Sequence, residues 1–216
     1  MAELITGLTV QRVRDQLARV QDTIASAGAD PEAVDVLAAV KYVAVQELPV
    51  LAEAGITLVG ENRAQELVAK TEAHGELFTW DFIGHLQSRK VRQVLPLVRY
   101  IHSVASDSGL EQLGRHSGPD TRVLIEVNVA GEAGKSGIAP AQLADFLDRC
   151  PVTVVGLMTM PPQAARPQDS RPHFAALREL AQLHGLPELS MGTSQDYAVA
   201  VAEGATIIRL GSTLYH

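Results

Sequence analysis

The sequence predicts an α/β fold, a single (β/α)8 barrel, and three observations carry that prediction. Eight strand-like runs between Asp35 and Leu210 alternate with helical stretches. They recur at roughly 20 to 40 residues, the rhythm of a barrel rather than of a meander. No Gly-x-Gly-x-x-Gly segment opens a helix after the first run, so the main mark of a doubly wound sheet is missing. At 216 residues, of which 46% are hydrophobic and 20% charged, the chain suits one domain spanning residues 1–216.

The elements follow in order. From Thr9 to Ala27, Val10, Val13, Leu17, Val20 and Ile24 share one helical face, and Gly28 is a stop signal. Asp35 to Val40 is the first strand, ending in Lys41, and a helix over Gln46–Ala54 follows, closed by Gly55. Ile56–Gly60 is the second strand. Its helix, Asn62–His74, opens with Asn62 and Gln65 at capping-box spacing. Trp80–Gly84 and a helix over Ser88–Leu95, limited by Pro96, form the third unit. Arg99–Ser103 with Ser108–His116 is the fourth, and Arg122–Val129 with Pro140–Arg149 the fifth. Val152–Met158, a proline-rich loop over Pro161–Pro172 and a helix ending at Gly185 make the sixth. Pro187–Ser190 with a helix over Ser194–Glu203 is the seventh, and Thr206–Leu210 the eighth strand. No helix is evident after it, so the Thr9–Ala27 helix is expected to pack on the barrel over that gap.

A barrel gathers the carboxyl ends of its strands on one face, where barrel enzymes hold their sites. Here those ends carry Lys41, Glu61, Asn62, His85, Ser103, Asn128, Met158, Ser190 and Arg209, a set more polar than the strands behind it. A lysine closing a run of small and β-branched residues is expected to be partly desolvated, which makes its amine nucleophilic. The alternative is a strand that simply reaches solvent at Lys41. Gly192-Thr193-Ser194 precedes a helix, with Thr193 and Asp196 at capping-box spacing, and Gly211-Ser212-Thr213 adds a second glycine and hydroxyl cluster. Loops after strands seven and eight are where barrels commonly bind phosphate. An amine facing two such loops points to a phosphorylated carbonyl compound.

Several function classes drop out. A net charge of −7, with no Lys/Arg run longer than two, excludes nucleic acid as the main partner. No apolar run reaches the length of a membrane span, and Met1-Ala2-Glu3 begins no targeting signal. Cys150 is the only cysteine, which removes an internal disulfide and suits the cytoplasm. Gly131–Ser136 resembles a nucleotide P-loop, but valine stands at position 129 where its first glycine belongs, and Pro140 delays the helix. The seven histidines form no i, i+4 pair, so a zinc site has no local support.

Ordered segments over nearly the whole chain resemble one family. They are Lys41 after its strand, Gly60-Glu61-Asn62, Phe82-Ile83-Gly84-His85-Leu86-Gln87-Ser88, Ile101-His102-Ser103, Val127-Asn128, Lys135-Ser136-Gly137, Gly156-Leu157-Met158, Leu189-Ser190-Met191-Gly192 and Arg209-Leu210-Gly211-Ser212. The chain resembles the pyridoxal phosphate homeostasis proteins, the YggS or PROSC type. That resemblance implies a fold-type III barrel similar to the alanine racemase N-terminal domain, holding pyridoxal 5′-phosphate (PLP) as a Schiff base on Lys41. It implies phosphate contacts from Ser190, Gly192, Ser194, Gly211 and Ser212. Arg209 would face the pyridine nitrogen, and Asn62 and Met158 would complete the pocket.

An arginine opposite the ring nitrogen weakens the ring as an electron sink. A racemase also needs a second base, which its further β domain supplies and which this chain, ending at His216, is expected to lack. The implied role is therefore cofactor storage and delivery to PLP-dependent apoenzymes by a monomer, without turnover. A small PLP-dependent racemase or lyase is the alternative, with Tyr42, His85 and Tyr215 as candidate second groups. A sugar-phosphate lyase and a cofactor-free interaction protein are more distant ones. The chain departs from the family at Val40-Lys41-Tyr42, usually Ser-Lys-Thr, and at Gly192-Thr193-Ser194-Gln195, usually Gly-Met-Ser-Asp.

Overall fold

The structure is a computed structural model describing residues 4–163 and 165–216. The first three residues, where the sequence was read for a targeting signal, and residue 164 of the proline-rich loop lie outside the described residues. Eight parallel strands close into a barrel in chain order: β1 (Asp35–Ala39), β2 (Leu58–Glu61), β3 (Thr79–Phe82), β4 (Tyr100–Val104), β5 (Arg122–Glu126), β6 (Thr153–Met158), β7 (Glu188–Thr193) and β8 (Ile207–Leu210). Closure comes from β1 beside β8, with Asp35 opposite Ile207 and Ala38 opposite Leu210.

Side chains on a strand alternate between faces, so each strand serves two environments. Outward residues such as Ala38, Val59, Ile101, Val123, Ile125, Leu157 and Ile208 join one continuous apolar layer beneath the helices. Inside the barrel, Leu37, Leu58 and Ile207 form a small apolar floor. Above it the interior turns polar, with Asp81, His102, Ser190 and Arg209 all buried. The barrel is thus apolar outside and progressively charged within.

The helical elements are α1 (Val10–Ser26), α2 (Leu48–Glu53), α3 (Ala64–His74), α4 (Val91–Val94), α5 (Asp107–His116), α6 (Leu143–Asp148), α7 (Arg171–Leu183), α8 (Tyr197–Ala202) and α9 (Ser212–Tyr215). Thr9 caps α1 by accepting a hydrogen bond from Arg12 N at 3.3 Å, and Val13, Val20 and Ile24 are its buried face. α1 packs against α2, α8 and α9. The eighth strand is therefore followed by a one-turn helix, α9, which the sequence pattern did not reveal because four residues are too few to show a period.

Three local expectations are corrected. The Asn62–Gln65 capping box does not form, because Glu61 folds back and accepts from Asn62 N at 2.6 Å and Arg63 N at 3.1 Å, so α3 starts at Ala64. β7 continues past Ser190 to Thr193, and Asp196 accepts from both the N–H and the hydroxyl of Thr193, delaying α8 to Tyr197. β5 ends at Glu126 rather than Val129, since Val127 pairs with Ile138 across the following loop. Among the described residues no helix is long and apolar enough to cross a membrane, and no group of three His, Cys, Asp or Glu side chains could hold a metal.

Candidate functional site

A cavity of about 600 Å³ opens at the carboxyl end of the barrel. Lys41, Asn62, Ser194, Arg209, Gly211 and Ser212 all line it. Ser190, Gly192 and Met158 are buried instead and do not line it. The structure thus brings six of the nine site residues expected from sequence to one surface and sets three behind it. Lys135, Tyr42 and Tyr215 also reach the cavity.

Lys41 stands two residues beyond the end of β1, in a turn, and its side chain is exposed, with the ammonium 5.0 Å from the centre of the Tyr42 ring. The expectation of a lysine desolvated at the strand end is therefore corrected: the strand stops at Ala39, and the turn carries Lys41 into the open cavity. The buried lysine is Lys70 on α3. Its Nζ donates to Glu61 Oε2 and to Val40 O, both at 2.6 Å, and both side chains are essentially inaccessible. This pair holds the backbone immediately before Lys41 from the neighbouring strand and helix. Val40 N donates to Gly60 O at 2.9 Å, completing the anchor. Lys70 lies on the stripe Ala64, Leu67, Lys70 of α3, a position where the periodicity asks for an apolar residue, and that conflict was the sequence signal for it.

Opposite this anchor, Arg209 at the end of β8 is held by neutral acceptors. Nη1 donates to Ser190 Oγ at 2.5 Å, and Nη2 donates to Thr159 O at 2.9 Å and lies 2.9 Å from Met160 Sδ. Burial pushes its guanidinium pKa down to about 10, against the pull of Glu126 and Asp196, so it stays charged at neutral pH. Behind it a chain of buried groups crosses the barrel. Ser190 Oγ is 2.8 Å from His102 Nδ1, and His102 Nε2 is 3.0 Å from Asp81 Oδ2. Asp81 also accepts from Arg99 Nε at 3.1 Å and Nη2 at 2.8 Å, and from Tyr100 N at 3.1 Å. Burial alone would raise the Asp81 pKa, but the bonds from His102 and Arg99 outweigh it and hold the carboxyl below its ordinary value. Burial dominates at His102 and keeps its imidazole below the ordinary histidine value, hence neutral.

Two loops complete the rim. Ser194 Oγ accepts from Gly211 N at 3.3 Å and Thr213 N at 3.2 Å, so two backbone N–H groups from the start of α9 already converge on one oxygen. Gly192, at φ +91°, brings β7 against α8; a Cβ there would come within 2.6 Å of Ala200 Cβ. Asn62 is half-buried, and its Oδ1 is buried without a hydrogen-bond partner. Gly84 lets the third strand end pass close to it, since a Cβ at Gly84 would fall 1.9 Å from Asn62 O.

The remaining strand-end candidates do other things. Asn128 closes its own loop, donating to Glu132 O at 2.9 Å and accepting from Glu132 N at 3.3 Å. Ser103 donates to Gly84 O. His85 is exposed and does not line the cavity. In the Gly131–Ser136 loop, Ser136 donates to Glu126 Oε1 at 2.8 Å and no helix follows directly, a 3-10 turn starting at Pro140 and the α-helix at Leu143, so no phosphate cradle forms there.

Comparison with known proteins agrees with this geometry. Residues 9–216 match the family model described as alanine racemase, N-terminal domain. A pyridoxal phosphate homeostasis protein of Aquifex aeolicus is 38% identical over 95% of this chain and 96% of its own length, and one of Pseudomonas aeruginosa is 37% identical over 92% and 90%. Among solved structures, PipY of Synechococcus elongatus with PLP bound superimposes with a TM-score of 0.80 at 31% identity, over 94% of this chain and 100% of PipY. An alanine racemase from Corynebacterium glutamicum shares the fold, with a TM-score of 0.75 at 16% identity over 99% of this chain and 63% of its own. By the family match and by these relatives, the chain belongs to the alanine racemase N-terminal domain family and, within it, to the pyridoxal phosphate homeostasis proteins.

Proposed function

We propose that this protein binds PLP in the cavity, covalently and reversibly through Lys41, and buffers or delivers the cofactor rather than turning over an amino acid. The observation that carries the reading is the pairing of an accessible primary amine with a buried, carboxylate-free guanidinium across one cavity.

The residues present fit that ligand. Asn62 Oδ1 lacks a donor, which a ring hydroxyl would supply. Gly211 N and Thr213 N already point at an oxygen, so phosphate oxygens can join or replace Ser194 Oγ there, with Ser212 beside them. Arg209 offers positive charge to an electron-rich group and, remaining protonated, gives no proton to a ring nitrogen. Met158, Gly192 and Ser190 shape and brace the pocket from behind. When bound, PLP supplies an aldehyde that links reversibly to a primary amine.

The chain's own acid–base inventory favours holding over turnover. Tyr215 reaches the cavity, but its hydroxyl donates to Ala39 O at 3.2 Å and burial pushes its pKa well up, so it does not act as a base at neutral pH. His85 lies elsewhere. Of the three candidates, Tyr42 and Tyr215 share the cavity with Lys41, and Tyr215 is the one held to Ala39 O. The recipients we infer are PLP-dependent apoenzymes, met by a monomer in the cytoplasm.

The test is the visible spectrum of the purified protein titrated with PLP, for wild type and Lys41→Ala, followed by amino-acid racemisation assays and transfer to an apoenzyme. We expect a visible band in the wild type, none in the variant, no racemisation, and reactivation of the apoenzyme. A wild type that takes up no PLP overturns the binding reading, and sustained racemisation overturns the non-catalytic one.

A further inference from the structure

His102 does not reach the cavity, belongs to no part of the ligand set above, and is completely buried inside the barrel. We propose that His102 is a positioning residue which, through Ser190, fixes the orientation of the Arg209 guanidinium toward the ligand, with Asp81 fixing its tautomer. This rests on the PLP reading and goes beyond it.

The polarity of the chain follows from its ends. Arg209 has only donors, and the Asp81 carboxylate has only acceptors. Ser190 Oγ must therefore accept from Arg209 Nη1 at 2.5 Å, which leaves its own proton for His102 Nδ1 at 2.8 Å. His102 Nδ1 must then be unprotonated and Nε2 protonated, donating to Asp81 Oδ2 at 3.0 Å. One arrangement of protons satisfies every atom. Either alternative fails locally: protonating Nδ1 would leave the serine proton without an acceptor, while moving the proton off Nε2 would face a lone pair to the carboxylate.

The same polarity explains why Ser190 is not free for the phosphate. Its hydroxyl proton is committed to His102, and the residue is fully buried. Its role is to give Arg209 an acceptor whose position is set by a rigid ring rather than by a mobile side chain. A carboxylate placed there would also have held Arg209, but it would have cancelled the charge that the cavity receives. The neutral Ser–His link keeps the two apart, with the neutralising charge on Asp81 shared with Arg99 on the far side. Asp81 is the third-strand residue, His102 the fourth, Ser190 the seventh and Arg209 the eighth, so the link spans the barrel interior and couples distant strands.

The experiment compares wild type with His102→Phe, Ser190→Ala, Ser190→Thr and the His102→Phe/Ser190→Ala double variant. The readouts are PLP affinity, the position of the visible band of the bound cofactor, and thermal melting of the ligand-free protein. Loss of a hydrogen bond to a charged group is expected to weaken affinity on the order of tenfold. We expect the band to move in the same direction in both single variants, the double variant to lose no more affinity than the worse single one, and Ser190→Thr, which keeps the hydroxyl, to restore the wild-type band. Variants that melt earlier but keep the wild-type band and affinity overturn the positioning role, because that is the signature of packing alone. If His102→Phe does not fold, Ser190→Ala against Ser190→Thr decides by the same band. A wild type with no band at all would instead be the failure of the PLP reading.

Discussion

Removing Lys70 tests how the lysine-bearing turn is held. In Lys70→Met, Glu61 Oε2 and Val40 O lose their only donors from that side chain, each a bond of 2.6 Å in a site that water does not reach. Glu61 Oε1 keeps the N–H groups of Asn62 and Arg63, so the carboxylate is half satisfied rather than abandoned. Breaking one side of such a pair costs about 3–5 kcal/mol, and the retained bonds place this case at about 3 kcal/mol. For a domain of this size that is a fall in Tm of roughly 6–12 °C. Glu61→Gln still accepts from the two backbone N–H groups but leaves the ammonium facing an amide, so a similar loss is expected. The double variant Lys70→Met/Glu61→Gln buries no net charge and should be more stable than the sum of the two single losses by at least about 1 kcal/mol. Denaturant unfolding at constant m-value measures all three. A single-variant loss below about 1 kcal/mol, or strict additivity, would refute the argument that this pair anchors the turn.

Three further outcomes follow. Because burial holds the folded His102 pKa below the ordinary value of about 6.5, the unfolded chain takes up a proton that the folded chain refuses as pH falls through 6.5. Stability should therefore decline below about pH 6.5, by up to about 1.4 kcal/mol per pH unit until the folded pKa is passed, and His102→Phe should flatten that slope; an unchanged slope would assign it to other groups. Asp81 is shifted in the same direction, but from a lower ordinary value, so its contribution is present above about pH 4 and is lost only as pH falls further through its depressed folded value. Gly84→Ala puts a methyl 1.9 Å from Asn62 O, and should cost roughly 2 kcal/mol or more in Tm measurements while weakening PLP binding by displacing Asn62; a neutral substitution would show that the strand ends are not packed as described.

The barrel was legible because its evidence is periodic. Strand runs, their spacing and the glycine stops at Gly28 and Gly55, both at positive φ, are local features that a single chain displays. Gly211 and Ser212 on the cavity rim were legible for the same reason, since glycine and hydroxyl clusters after strands seven and eight have a meaning set by the barrel itself. What stayed hidden depends on pairs far apart in sequence. Lys70 shows in the sequence only as a charge on the apolar stripe of α3, with its partners Glu61 and Val40 unseen, and His102 acquires a role only when Asp81 and Ser190 arrive from other strands. Ser190 is a further case: the family resemblance implies a phosphate contact there, and alternation along β7 turns its hydroxyl into the barrel toward His102 and Arg209, a pairing that no local pattern displays. The Asn62–Gln65 spacing misled for a different reason, because a carboxylate one residue earlier took the Asn62 N–H that the box needs, together with that of Arg63.

The most direct measurement of the central claim is the site of covalent attachment. The protein is loaded with PLP, reduced with borohydride to make the link permanent, digested and mapped by mass spectrometry. One modified peptide is expected, carrying the phosphopyridoxyl group on Lys41, because both Lys41 and Lys135 reach the cavity shared with Arg209, Asn62 and Gly211, but Lys135 Nζ is paired with Glu132 Oε2 at 3.1 Å. Labelling confined to Lys135, the other lysine on the cavity, or an unlabelled Lys41 after demonstrable PLP uptake, would contradict the claim.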